Sequence, residues 1–434
     1  MDKKVKQREI KNTKDFDNFI QWLRDNGAQF PSLKFKLYGE NERGVHSKTE
    51  LKKGRTLIHI PRNVLIHDGI AGQVKHGKQL IEATKNNRAN KVPNYKITLV
   101  TVYILATIKQ NGFYEPYYRI LPTNLSNFPI FWEKQDLDYL KGSYMIKSIH
   151  MRKQQLLNEY NQLSKLCEGF IKSHTFDEFV KIRTIVGSRN FGITINGVKR
   201  IAMVPLADML NHDQQPSVSW GFDNEKDGFV MQSRRNIQLG EAITDSYGIK
   251  CNSQYLMFYG FTLPNNHAGN FFTTDMVYGG DEQTKQIKMS LIQRFNRKIT
   301  MNYATCNDFQ SIMSFLRIAV SDLELLKQHT FLHNFNNPIN LSNESDALNA
   351  FKTYIDTMLK GYGKSYQEIK GELASIKTLN NKYNAYQLIL GEMEILKHYK
   401  AIVTYAINLI QRRPNPKTNT QCPDYFRNLQ ELVN

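Results

Sequence analysis

Two short stretches hold the residues whose types and spacing can do chemistry. Val204 to His212 reads VPLADMLNH and ends with an asparagine and a histidine side by side. Asp245 to Phe261 reads DSYGIKCNSQYLMFYGF, with Tyr247-Gly248, Asn252 and Tyr259-Gly260-Phe261 as its fixed points. Amide, imidazole and phenol groups bind and orient a reactant through hydrogen bonds. Taken alone, the Asn-His pair reads as a polar turn, and Tyr247 can be read as an edge-strand aromatic. Other chemistries have less support. Cys167, Cys251, Cys306 and Cys422 lie far apart and form no CxxC pair, so neither a zinc cluster nor a disulfide framework is expected. Cys251 sits beside the second stretch, but no base is evident next to it, so it is not read as a nucleophile.

The chain has 434 residues, enough for two or three domains. With 41% hydrophobic and 23% charged residues it reads as globular rather than disordered. The formal charge of +18 makes nucleic acid a candidate partner. The basic residues are spread along the chain without a compact run, which favours a solvated lysine-rich surface. No apolar run approaches the ~18 residues of a membrane span. The start, MDKKVKQREI, has no apolar core for a signal peptide. A cytoplasmic or nuclear protein, monomeric and without a membrane partner, is expected.

The elements follow from periodicity. Thr13 is placed to cap a helix running to about Asn26, with Phe16, Phe19, Ile20 and Leu23 on one face and Gly27 as its stop. Leu33 to Tyr38 alternates as a strand. Glu42-Arg43-Gly44-Val45 reads as a turn into a second extended segment, Gly54 as another turn, and Thr56 to Ile60 as a strand closed by Pro61. From about Ile66 the period becomes helical: Asn94 to Gln110, then the loop FYEPYYRILP, then Ser148 to Lys172. A capping box, Thr175-Phe176-Asp177-Glu178, opens a helix towards Val186. Strand patterning returns at Arg200 to Pro205, Val218 to Phe222, Gly228 to Ser233 and Ala242 to Tyr247. Asn252 is placed to cap a short helix that stops at Gly260. Beyond about Gly280 the pattern is nearly all helical, with Phe309 to Val320, Asp346 to Leu359, and Tyr383 to Gln411 before Pro414 and Pro416. Strict heptads do not persist, so a helical bundle is read here rather than a coiled coil.

The two stretches together, about 35 residues apart with a β-type segment between, resemble the core of a SET-domain methyltransferase. The order of elements, with GFYEPYYRILP and VGSRNF before the core, is similar to the split-SET class. That class is typified by the Rubisco large-subunit lysine methyltransferases and the actin-histidine methyltransferases. The resemblance implies an α+β fold: a SET β-core with a helical insert, then an all-helical substrate-binding domain. The corresponding divisions are 1–65, 66–187, 188–280 and 281–434. It implies S-adenosylmethionine (SAM) as cofactor. Glu42, Arg43 and Gly44 match the turn lining the cofactor, where the family often has Gly-aromatic-Gly. Arg189 matches the arginine that pairs with the cofactor carboxylate, and a guanidinium suits that role because it offers two parallel donors. Asp208, Asn211 and His212 match the cofactor-binding turn. Tyr247 matches the catalytic tyrosine, and Tyr259, Gly260 and Phe261 a segment near the adenine. Phe191 and Ala207 match positions facing the target channel.

The chemistry implied is methyl transfer to a protein nitrogen. SAM supplies the reactive methyl, and the protein brings a lone pair to ~3 Å from it. A lysine target, with a free pKa of about 10.4, must first lose a proton. Lysine is the expected target because an aromatic at position 191 suits an aliphatic stem, and Ala207 leaves depth. Histidine remains the alternative. Two readings from other classes stand beside these: a catalytically silent SET-fold scaffold, and a nucleic-acid binder whose affinity falls steeply with salt.

Overall fold

The computed structural model describes residues 8–9, 14–37, 43–86, 92–267, 270–275, 281–292, 298–302, 306–329, 335–412 and 422–433. Thr13, Glu42, Pro414 and Pro416 lie outside them. Packing divides the chain into two compact units, Met1–Ser126 with Met151–Ile249, and Asn127–His150 with Lys250–Asn434. Residues 127–150, expected in the insert, and 250–280, expected with the second part of the β-core, therefore pack into the second unit.

Three small sheets build the first unit. One runs Arg8–Glu9, Leu33–Leu37, Arg43–Ser47, Ala242–Asp245 and Asn211–His212, in that spatial order. Its pairs are antiparallel except the last, which is parallel and sets Asn211 opposite Thr244 and His212 opposite Asp245. A second sheet joins Thr56–Pro61, Gly228–Ser233 and Val218–Asp223, and a third Ile66–His67, Val198–Met203 and Asn190–Ile195. The first helix, Lys14–Asp25, buries Phe16, Phe19, Ile20 and Leu23, and Gly27 ends it at φ 86°. In Tyr95–Thr107 every residue from Thr98 to Leu105 is buried, so the helix is enclosed rather than amphipathic. Thr175 and Glu178 form the expected capping box on Phe176–Arg189. Inside the insert a buried Arg183–Glu159 pair at 2.9 Å also takes the Thr98 hydroxyl, at 2.6 Å.

Several expectations need correction. Arg43 and Gly44 are strand residues paired with Leu37 and Lys36, not a turn, because the ladder continues through them. The loop FYEPYYRILP contains a helical turn, Glu115–Arg119, with Pro116 in its first turn, where a missing N–H costs nothing. The stretch Ser148 to Lys172 is split into Met145–Leu166 and Phe170–Ser173 by Gly169 at φ 80°. Asn190–Ile195 is an unexpected strand. Asn196 and Gly197 both take positive φ, 47° and 77°, and turn it tightly into Val198–Met203. Cys251, not Asn252, occupies the cap position of Asn252–Tyr259. The Asn252 amide instead clamps Leu263, donating to its carbonyl and accepting its N–H.

The second unit is mainly helical, with Cys306–Val320, Leu341–Gly361, Tyr366–Ser375, Asn381–Ile410 and Pro423–Val433 as its larger elements. It is not all helical: Phe271–Asp275 pairs antiparallel with Lys298–Asn302. Buried polar groups cross its core. Arg317 and Glu344, both fully buried, meet through two hydrogen bonds at 2.6 and 3.1 Å, and the Tyr425 hydroxyl donates to the same carboxylate. Glu392 lies in the long helix and accepts from the Ser143 and Tyr362 hydroxyls at 2.7 and 2.8 Å. With two hydroxyl donors against full burial, its carboxyl is pushed up to about 7. The folded value lies above the unfolded one, so the stabilisation is complete below the unfolded carboxyl pKa and is lost as pH rises through about 7. Chemical denaturation should show the second unit losing stability between pH 5 and 8, by on the order of 3 kcal/mol. Glu392→Gln should remove that dependence while keeping the acceptor.

Candidate functional site

The first unit assembles Arg43, Arg189, Asp208, Asn211, His212 and Tyr247 around the end of its five-stranded sheet. The turn that aims Asp208 is strained. Leu206 has φ 76° and ψ −49°, the mirror-image γ conformation, while its side chain is fully buried. Such a residue costs roughly 1–3 kcal/mol and persists only where the surroundings hold it. Ala207–Met209 follows as a single tight turn, and Asp208 donates its amide to the Val204 carbonyl.

Asp208 is the centre of a charged cluster. The Tyr117 hydroxyl donates to its Oδ2 at 2.7 Å. Arg189 donates to its backbone carbonyl at 2.7 Å and lies 3.5 Å from Oδ2. Burial raises the Asp208 carboxyl above its usual range, and Arg189, Tyr117 and Arg43 pull the other way. Arg43 donates to the Ile120 carbonyl, and burial followed by the nearby Arg189 guanidinium lowers its pKa. Among the described residues, two guanidiniums thus lie near one carboxylate, one more positive than negative charge. The Asp208 Oδ1 atom is buried and has no hydrogen-bond donor among the described residues. A surplus cation beside an orphaned carboxylate oxygen fits the head of an amino-acid zwitterion, its carboxylate on the arginines and its ammonium on Asp208.

Asn211 donates its side-chain amide to the Arg43 carbonyl at 3.0 Å, which ties the NH segment to the strand two places away in the sheet. His212 Nδ1 accepts the Tyr247 backbone N–H at 3.0 Å. A backbone N–H can only donate, so a neutral His212 carries its proton on Nε2. The two rings stack with centroids 5.2 Å apart. The Tyr247 hydroxyl donates to the Leu210 carbonyl at 2.7 Å, so towards a reactant it presents oxygen lone pairs. Gly44 is buried in its strand. Phe191 and Ala207 are both buried, and Phe191 packs edge-on against Trp220 and Phe229.

The remaining expected residues lie in the second unit or outside the described residues. Glu42 lies outside the described residues. Tyr259, Gly260 and Phe261 belong to the second unit, where Phe261 stacks on Tyr255 at 5.2 Å. Gly260 has φ 77°, and a Cβ there would come within 2.3 Å of the Asn127 amide nitrogen. Sequence reasoning missed Tyr117, although it lies inside the quoted GFYEPYYRILP. Nothing local distinguishes it from its neighbour Tyr118. It also missed Asp245, a carboxylate in a strand pattern whose burial was not apparent.

Comparison with known proteins follows the same outline. Residues 42–248 match the SET domain model, and residues 282–396 match the model for Rubisco LSMT substrate-binding. An actin-histidine N-methyltransferase of Gallus gallus is 22% identical over 88% of this chain and 67% of its own length. That of Homo sapiens is 20% identical over 94% and 71%. A crystal structure of the SET domain of LSMT bound to methyl-lysine and AdoHcy superposes with a TM-score of 0.75 at 18% identity, covering 92% of this chain and 93% of the other. Rubisco LSMT bound to AdoMet gives 0.74 at 17%, covering 91% and 93%. At this identity the likeness to solved structures is one of fold.

Tyr117→Phe leaves the ring stack with Phe19 intact and removes the donor to Asp208. Denaturant titration should find the first unit destabilised by about 1.5–3 kcal/mol, the range for a hydrogen bond to a charged group.

Proposed function

We infer the activity of this chain from its membership of the SET-domain family, in an architecture that joins a SET domain to a Rubisco LSMT-type substrate-binding domain. It is a SAM-dependent protein methyltransferase. Its target is a lysine side chain, with SAM held at the Arg43–Arg189–Asp208 cluster.

The cofactor reading is carried by the charge arrangement. SAM ends in an amino-acid zwitterion, which matches two guanidiniums beside a carboxylate with an orphaned oxygen. When bound, SAM supplies an electrophilic methyl on a cationic sulfonium that leaves as a neutral thioether. The chain's own work is to orient. Asn211 and His212 are fixed by backbone partners on neighbouring segments, so neither has to be ordered on binding. Tyr247, its proton committed to Leu210, offers an oxygen acceptor for weak C–H···O contact with a methyl group.

The choice of lysine rests on positions 191 and 207. An imidazole target has a second nitrogen that needs a polar partner. Phe191 and Ala207 offer none, and Phe191 sits in an aromatic cluster suited to an aliphatic stem. The histidine reading is favoured by the relatives, which are named as actin-histidine N-methyltransferases. The protein substrate is recognised by the second unit, and the enzyme acts in the cytoplasm or nucleus.

Calorimetry on Arg189→Ala should give SAM binding weaker by about 1.5–3 kcal/mol. Unchanged affinity in a folded variant would remove Arg189 from the site. Tyr247→Phe should lower kcat while SAM affinity stays within error, as expected for a group acting in the transition state. For the target, the enzyme is incubated with labelled SAM and a lysate of its source cells, and the labelled residue is identified by mass spectrometry. Methyl-lysine is expected. Methyl-histidine without methyl-lysine overturns the assignment of target and leaves the methyltransferase reading standing.

A further inference from the structure

The first unit carries an aromatic and acidic pair that the two motifs do not explain. Trp220 is 36% exposed, whereas the rings it packs against, Phe191 and Phe229, are 8% and 0% exposed. Its centroid lies 5.1 Å from Phe191, edge-on, and 5.7 Å from Phe229, stacked. Of the three rings, Trp220 is the one with a wetted surface. Its indole N–H donates to Asp245 Oδ1 at 3.1 Å. Asp245 is 4% exposed, lies opposite His212 in the parallel strand pair, and precedes Tyr247 by two residues. Its carbonyl accepts the Asp213 amide. One buried carboxylate therefore ties an exposed indole to the strand that leads into Tyr247 and lies beside His212.

The electrostatics of this pair favour a cation. A Trp face is the strongest of the aromatic partners for a cation. A carboxylate that accepts the indole N–H polarises the ring further in the same sense. We propose that Trp220 and Asp245 form the subsite that captures the alkylammonium head of the target side chain before methyl transfer. The proposal rests on the lysine reading and deepens it, because an imidazole is mostly neutral near pH 7 and gains little from such a subsite. Trp220 meets the incoming cation. Asp245 is a positioning residue that holds the indole and lends it negative charge.

Burial pushes the Asp245 carboxyl up to about 6, against the pull of the Ser246 amide and the Trp220 indole. The other charged or titratable groups on the elements packed around it are Arg43 and His46 on one neighbouring strand, His212 and Asp213 on the other, and Asp223 at the end of the Trp220 strand. His46 is itself lowered by burial. Asp245 is charged above about pH 6 and neutral below it, so the attraction for a cation is present at neutral pH and lost as pH falls.

The test uses the full-length protein with labelled SAM, poly-L-lysine as methyl acceptor, and calorimetry for SAM alone. Trp220→Ala should raise KM for poly-L-lysine by about 5–30-fold, the range for a lost cation–π contact. Asp245→Asn, which keeps an acceptor for the indole but loses the charge, should raise it by a smaller factor at pH 8. SAM affinity should be unchanged in both, and Trp220→Phe, which retains a ring, should fall between Trp220→Ala and the parent. In the parent KM should rise as pH drops through about 6, and in Asp245→Asn that break should vanish. Equal KM values across the set overturn the subsite, as does a break near pH 6 that survives in Asp245→Asn. Failure of the parent to methylate poly-L-lysine while still binding SAM overturns it too. Failure to bind SAM at all instead overturns the functional reading beneath it.

Discussion

Two arginines cannot approach each other in a partly buried site without an anion between them, and Asp208 is that anion. Burial and then the Arg189 guanidinium lower the Arg43 pKa, and the Asp208 carboxylate opposes them. The desolvation of that carboxylate is offset by the Tyr117 hydroxyl and the Arg189 guanidinium. Among the described residues the cluster has one more positive than negative charge, and one carboxylate oxygen has no donor. In the proposed site the cost of ordering the charges is met on folding rather than on binding. The strained backbone at Leu206 belongs to the same design, since it turns Asp208 inward under the arginines.

The sheet around it converts this cluster into a site. Placing Ala242–Asp245 between Arg43–Ser47 and Asn211–His212 brings three distant segments to one edge. The Asn211 amide and the Tyr247 N–H then join neighbouring segments by single hydrogen bonds. Each bond links a side chain to a backbone, one on the Arg43 strand and one just past the end of Ala242–Asp245. Position is what methyl transfer asks of the protein, because the reactivity is the cofactor's.

The second unit uses buried polar groups in a different way. Arg317 and Glu344 neutralise each other and are saturated by Tyr425 and backbone carbonyls. Glu392 meets two hydroxyl donors and is correspondingly raised. Glu392, raised to about 7, changes charge within the physiological range. Helix packing in this unit is thus tied to specific partners and not to apolar contact alone.

Much of this was legible in the chain. The period of Lys14–Asp25, the capping box at Thr175 and the alternation of Val218–Asp223 and Gly228–Ser233 are local properties of backbone and side chain, so the sequence by itself determined them. The motif residues Arg189, Asn211, His212 and Tyr247 were legible through resemblance, and folding gathers them within one unit. What the sequence left open depends on burial and on pairing between distant segments. Asn196-Gly197 is a local turn signal, and the strand before it is legible from that turn. Tyr117 and Asp245 are different. A tyrosine among tyrosines and an aspartate in an alternating strand become special only when the fold removes water and supplies one partner, Asp208 for the first and Trp220 for the second. Burial and a long-range hydrogen bond are properties of the assembled sheets, and only the tertiary structure decides them.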